Sequence, residues 1–346
     1  RAAQHGRAAE VVRLAEQGNL QVHATRRGWQ FAQQRGDIDY RADQPPVASI
    51  SQEHRHPVGQ ALAALAHLGL IGGLLILLLP ALRTVAGRRQ HAFGWALAAL
   101  FLLAAGFYVD ALRGQYPMRW LLAVLGLVMV LIIVAMSRIS MRIVNRSIDE
   151  AGEGGAPYLA RPPKRNLAIL CIVLFTLAEF WHPGGRVSGW LACAAAAALC
   201  NLMGDWHVGR PLLRRWPFML YAVYVCMALG YALIGTALLA GGPGSSAGRH
   251  LLTMGALGLS IYVVISIAGR AHCGHPSDGR PWVVQGALLI GAGAMLRAGA
   301  AFAPEAATAL LGMAGMCWVG SFGLMALRML PVLWGPRPDG GRGCEG

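Results

Sequence analysis

Residues 249–282, RHLLTMGALGLSIYVVISIAGRAHCGHPSDGRPW, decide the fold. Eighteen residues without a charge separate His250 from Gly269, and His272 and His275 follow just beyond. A helix crosses a bilayer in ~20 mostly apolar residues. Helix rather than strand follows, because an open strand edge leaves its backbone groups unpaired in lipid. At a rise of ~1.5 Å per residue, His250 and His272 stand ~33 Å apart along the axis, so they cannot share a metal ion. Each belongs to its own membrane face.

The rest of the chain repeats this pattern. Hydrophobic types make up 55% of its 346 residues and charged types 13%, with a mean hydropathy of +0.48. A soluble domain carries ~25% charge. The fold class is therefore all-α, a polytopic transmembrane helix bundle. Nine spans are expected, at 58–82, 93–112, 119–136, 166–181, 187–204, 217–240, 250–269, 282–303 and 306–330. Glycine and alanine crowd them, as in GALLIGAGAMLRAGAAF at 286–302, which suits close helix packing through small residues. Before them, residues 1–57 are polar and hold eight arginines, an extramembrane arm that is partly disordered. Residues 58–335 form the bundle, and 336–346 a cytoplasmic tail.

The net charge is +14, yet only one of the 30 cations is lysine, and most lie in short loops between apolar spans. Such loops are topology signals; no soluble basic face with interleaved aromatics points to nucleic acid. One set of alternate loops holds seventeen cations and the other four. The richer set is expected in the cytoplasm, with the C-terminus, and Val58 then enters from outside.

Candidate ligands are few. His250 and His272 bracket the deciding span, and His67 lies inside ALAALAHLGLIGG, where an imidazole must find a partner or a cavity. His91, His182 and His207 fall near span ends. An interfacial histidine also caps helices or meets headgroups, and the residues leave both readings open. Cys273 lies between His272 and His275, where a thiolate would join them at a soft metal. Cys171, Cys193, Cys200, Cys226 and Cys317 stand singly in spans and read as packing residues. Asp110 and Arg297 place charge within spans, Arg297 facing an anionic ligand group, a headgroup or Asp110. Glu179 and Asp205 read as interface markers. No serine triad, Walker loop or dinucleotide fingerprint occurs in a setting that supports it, so no hydrolase or nucleotide site is expected.

Three stretches resemble the NnrS family of polytopic haem and copper membrane proteins linked to nitric oxide metabolism. His250, Thr253, Gly255 and Gly258, followed by His272 and Gly274, are similar to that family's H-x-L-T-x-G-x-x-G and G-H-x-G-R. RMLPVLWGPRPDGGRG at 328–343 resembles its closing segment, and MSRISMRIVNR at 136–146 falls where the family has a turn. The likeness covers roughly residues 59–343 and departs in places. The family's W-H-x-H-E-M has no counterpart, Asp110 stands where a histidine is usual, and His275 replaces an arginine. The resemblance implies haem b and copper as cofactors, and nitric oxide or nitrosyl species as partners in nitrosative stress or denitrification. It further implies the bacterial inner membrane, with N-terminal spans of the larger family bundle absent here. On it, His250, His272 and His67 are the cofactor-binding candidates, and His250, His272, His275 and Cys273 the metal ligands. The alternative is a transporter-like or permease-like bundle in which His67, Asp110 and Arg297 line a polar path.

Overall fold

A computed structural model describes residues 57–82, 91–152, 157–206, 209–276, 278–338 and 340. The expected arm at 1–57 lies outside them except for Pro57, as does much of the tail. The described residues form helices α1 Pro57–Leu82, α2 His91–Leu112, α3 Met118–Asp149, α4 Pro162–Trp181, α5 Arg186–Met203 and α6 Arg215–Ala240. They continue with α7 Gly244–His272, α8 Trp282–Gly299 and α9 Ala307–Trp334, and no strand occurs among them. Eight are long and apolar enough to cross a membrane. The other is α4, whose 20 residues include Lys164, Arg165 and Glu179 at its ends and an uncharged stretch between. It packs between α3 and α5 as the spans do.

Each helix packs on the next in sequence, and α3 also reaches across to α6 and α7. In the apolar windows of α6 and α7, 56% of residues are buried, against 11% in α1 and α9. The centre of the bundle is therefore α6 and α7, and the rim is α1 and α9. Lipid tails are as apolar as leucine, so close packing rather than water exclusion holds such helices together. Small residues make it possible. A Cβ on Gly235 of α6 would come 2.9 Å from the Gly189 carbonyl oxygen of α5, and one on Gly230 3.0 Å from the Gly248 carbonyl oxygen of α7.

Two elements differ from expectation. The third span, expected to end at 136, continues as helix to Asp149. Met136, Ser140, Val144 and Ile148 recur every four residues and are buried, so the extension has its own inner stripe while Arg138, Arg142 and Arg146 face outward. The segment resembling a family turn is thus helical here. The deciding span begins earlier, at Gly244, and is interrupted twice by π-helical segments, Leu251–Leu257 and Ile265–Gly269. Single π turns concentrate at functional sites.

At the arginine-rich end, Asn145 fixes the chain that returns to α4. Its Oδ1 accepts from the Tyr158 N–H at 2.7 Å and its Nδ2 donates to the Tyr158 carbonyl at 3.1 Å. Burial and the nearby Asp205 carboxylate push the Tyr158 phenol up to about 12, although a contact with the Ser140 hydroxyl works against them. Tyr158 thus stays neutral. Asn145→Ala leaves two backbone groups beside a buried ring without partners, a loss of about 1–3 kcal/mol. Faster chymotryptic cleavage after Tyr158 or Leu159 in the variant checks this; an unchanged rate sinks it.

Candidate functional site

The histidines predicted as ligands stand apart. His250 closes the first α-helical turns of α7 where the first π segment starts, and is half-buried. Its ring makes no hydrogen bond among the described residues, and Arg249 and Arg297 lie within electrostatic reach. The neighbouring motif residues have local duties. The Thr253 hydroxyl donates to the Arg249 carbonyl at 3.0 Å. A Cβ on Gly255 would meet Cys226 Sγ at 3.0 Å, and one on Gly258 would meet Trp318 at 3.3 Å. The sequence motif therefore seats α7 against α6 and α9 with His250 at its entrance.

At the opposite end of α7, His272 is exposed, and its carbonyl accepts from Arg337 Nη1 at 3.0 Å. Cys273 and His275 close the turn through their backbone N–H groups, to Gly269 and Arg270 and to Arg270. Nearby, Asp278 is buried and accepts from Arg280 and from Trp282 Nε1, with the Arg270 guanidinium 3.5 Å away. The Arg280 hydrogen bonds hold its carboxyl well below the usual carboxylate range. His67 is exposed on α1, its Nδ1 3.3 Å from the Tyr108 hydroxyl of α2. His91 and His182 are also exposed, and His207 lies outside the described residues.

The charged residues within spans form pairs that the sequence reading did not foresee. Asp110 does not meet Arg297; its Oδ2 accepts from Arg119 Nη2 at 2.7 Å and from Trp120 Nε1 at 2.6 Å. Glu179 is buried rather than a surface marker, pairing with Arg249 at 3.4 Å and accepting from the Gly184 N–H at 3.2 Å. Asp205 likewise pairs with Lys164 at 2.7 Å. Each of these three carboxylates thus balances an arginine or lysine on a different helix, which the loop count had treated only as topology. Of the three residues of the transporter-like path, His67 meets Tyr108 and Asp110 meets Arg119 and Trp120, while the Arg297 charge lies within electrostatic reach of His250.

Among the described residues no three His, Cys, Asp or Glu side chains gather into a metal-binding group. A copper centre of several protein donors does not fit them. A haem makes a smaller demand, one imidazole nitrogen and cations for its acidic edge. His250 beside Arg249 and Arg297 fits that demand.

The fold defines a multi-pass helical membrane protein. The family model described as NnrS protein matches residues 47–337, so the chain belongs to the NnrS family, membrane proteins related to nitric oxide. No curated protein and no solved structure matches the chain.

Proposed function

We propose that this chain is the helical part of a nitric-oxide-response protein of the bacterial inner membrane, with its C-terminus in the cytoplasm, and that it holds a haem b at His250. The observation that carries the reading is the His250 ring, half-buried and without a hydrogen-bond partner among the described residues, with the Arg249 and Arg297 charges within electrostatic reach. When bound, the iron supplies affinity for nitric oxide; the protein supplies position and surroundings. His250 would hold the iron through a ring nitrogen. Arg249 and Arg297 would meet the acidic edge of a porphyrin. Copper is not carried into this reading, because among the described residues the donors it needs do not assemble.

The test is a reduced-minus-oxidised optical spectrum of the detergent-purified full chain loaded with haemin, beside His250→Ala and His272→Ala. The Soret band is expected to be lost or strongly shifted in His250→Ala and unchanged in His272→Ala. A band unaltered by His250→Ala overturns the assignment.

A further inference from the structure

A small cavity lies between α3, α4, α6 and α7, at the end of the bundle that carries His250. Its volume is about 20 Å³, against the ~10–15 Å³ that one water needs. The walls are mostly apolar, with Leu122 and Ala123 from α3, Phe175 from α4, Ile234 from α6 and Leu252 from α7. Ile234 and Leu252 are buried, 2% and 1% exposed. At the deep end Gly126 faces Thr176 so closely that a Cβ would strike the threonine side chain, and α3 and α4 close the space there. The polar groups at its edge are already engaged. The Thr176 hydroxyl donates to the Ile172 carbonyl at 2.8 Å, Glu179 holds Arg249 at 3.4 Å, and Arg119 turns to Asp110 at 2.7 Å.

We propose that this cavity takes up a small uncharged diatomic gas from the bilayer, nitric oxide being the one to which the family is related. The choice of nitric oxide rests on the function proposed above; the cavity does not. Size is the first support, since two heavy atoms fit where a lipid chain, a porphyrin or a peptide does not. Polarity is the second. A buried water asks for two to four polar partners, whereas a cavity with apolar walls stays dry and accepts apolar guests such as xenon. A charged species such as nitrite would lose its hydration against these walls, so they select the neutral molecule. Supply is the third. An apolar gas dissolves in the hydrocarbon that surrounds the helices and needs no aqueous channel to reach the space. Leu252 stands two residues past His250 on α7, so a gas held here waits within one turn of that imidazole.

The experiment uses the full chain in detergent micelles before any haemin is added, with isotope-labelled leucine and isoleucine methyl groups read by NMR. The probe is dioxygen under pressure, a paramagnetic diatomic of similar size that speeds the relaxation of nuclei it approaches. Faster relaxation is expected at the Ile234 and Leu252 methyls than at those of Leu220 and Ile290, which are just as buried but do not line the cavity. Ala123→Leu fills the space and is expected to remove that excess; Leu122→Phe is the second plug should the first fail to fold. Equal relaxation at the four residues, or an excess that survives a folded plug variant, overturns the proposal. So does magnetisation transfer from water to the Ile234 or Leu252 methyls, which assigns the cavity to an ordered water instead. Because this chain carries no haem, an absent excess counts against the cavity alone, and an unaltered Soret band in His250→Ala counts against the haem alone.

Discussion

Gly248→Leu is expected to leave almost no monodisperse protein after detergent extraction. A Cβ at Gly248 falls on the Gly230 carbonyl oxygen, 2.7 Å from Ile234 Cγ1 and 3.0 Å from the Ile234 backbone nitrogen. Overfilling a packed interior costs about 1–3 kcal/mol when side chains can shift, and backbone shifts less readily. Here the obstacle is the backbone of α6, and α6 with α7 forms the most buried contact of the bundle. Separating them also withdraws Gly255 from Cys226 and Gly230 from Leu252. Gly312→Leu on α9 is the matched comparison, since nothing lies within 4 Å of a Cβ there. It is expected to be neutral, or slightly stabilising because glycine costs a helix about 1 kcal/mol relative to alanine. Equal heat resistance of the two variants in a fluorescence size-exclusion assay sinks this account of the central contact.

The same glycines show how much of the fold was legible. Long uncharged runs place nine helices because length and hydropathy are nearly sufficient in lipid. What those runs hide is which face each helix presents: α6 is apolar throughout, so its buried stripe cannot be told from its lipid-facing one. The extension of α3 was legible, since Met136, Ser140, Val144 and Ile148 keep helical spacing after the first arginine. An expected span that stops at the first arginine overlooks it. The π segments of α7 were not legible, because they depend on how that helix packs on α6 and α8 rather than on any residue's preference.

For the site, the motif pointed to His250 and His272, and the structure separates their circumstances: one ring half-buried beside two arginines, the other exposed at a turn. The pairs Asp110–Arg119 and Glu179–Arg249 escaped notice because their partners are 9 and 70 residues apart and belong to different helices. A signal existed. A carboxylate in the last turns of one span and an arginine in the first turn of another must settle at the same membrane face, where pairing relieves both.

At the other end, Asp278→Asn is expected to destabilise the turn between α7 and α8 by about 3–5 kcal/mol, the cost of removing one partner from a buried pair. Asp278 accepts from Arg280 Nη2 at 2.6 Å, from the Arg280 N–H at 2.9 Å and from Trp282 Nε1 at 2.9 Å. Loss of the charge matters little for Arg280, whose side chain is 54% exposed and turns to water. Arg270 has no such exit. It is 8% exposed, its Nε donates to the Pro276 carbonyl at 2.9 Å, and Asp278 is the carboxylate facing it. Asparagine keeps the shape and leaves that guanidinium without a counter-charge. The effect has a pH signature. Arg280 and Trp282 donate to the ionised form of Asp278, so its folded value lies below the ~3.9 of an unfolded aspartate. The stabilisation is therefore complete above about pH 4 and is lost as the pH falls further, toward the folded value. Melting temperatures of the two proteins are expected to differ most near neutrality and to converge below pH 4. A gap that stays constant from pH 7 to pH 3 means the Asp278 charge does not hold Arg270, and the difference then comes from the turn geometry alone.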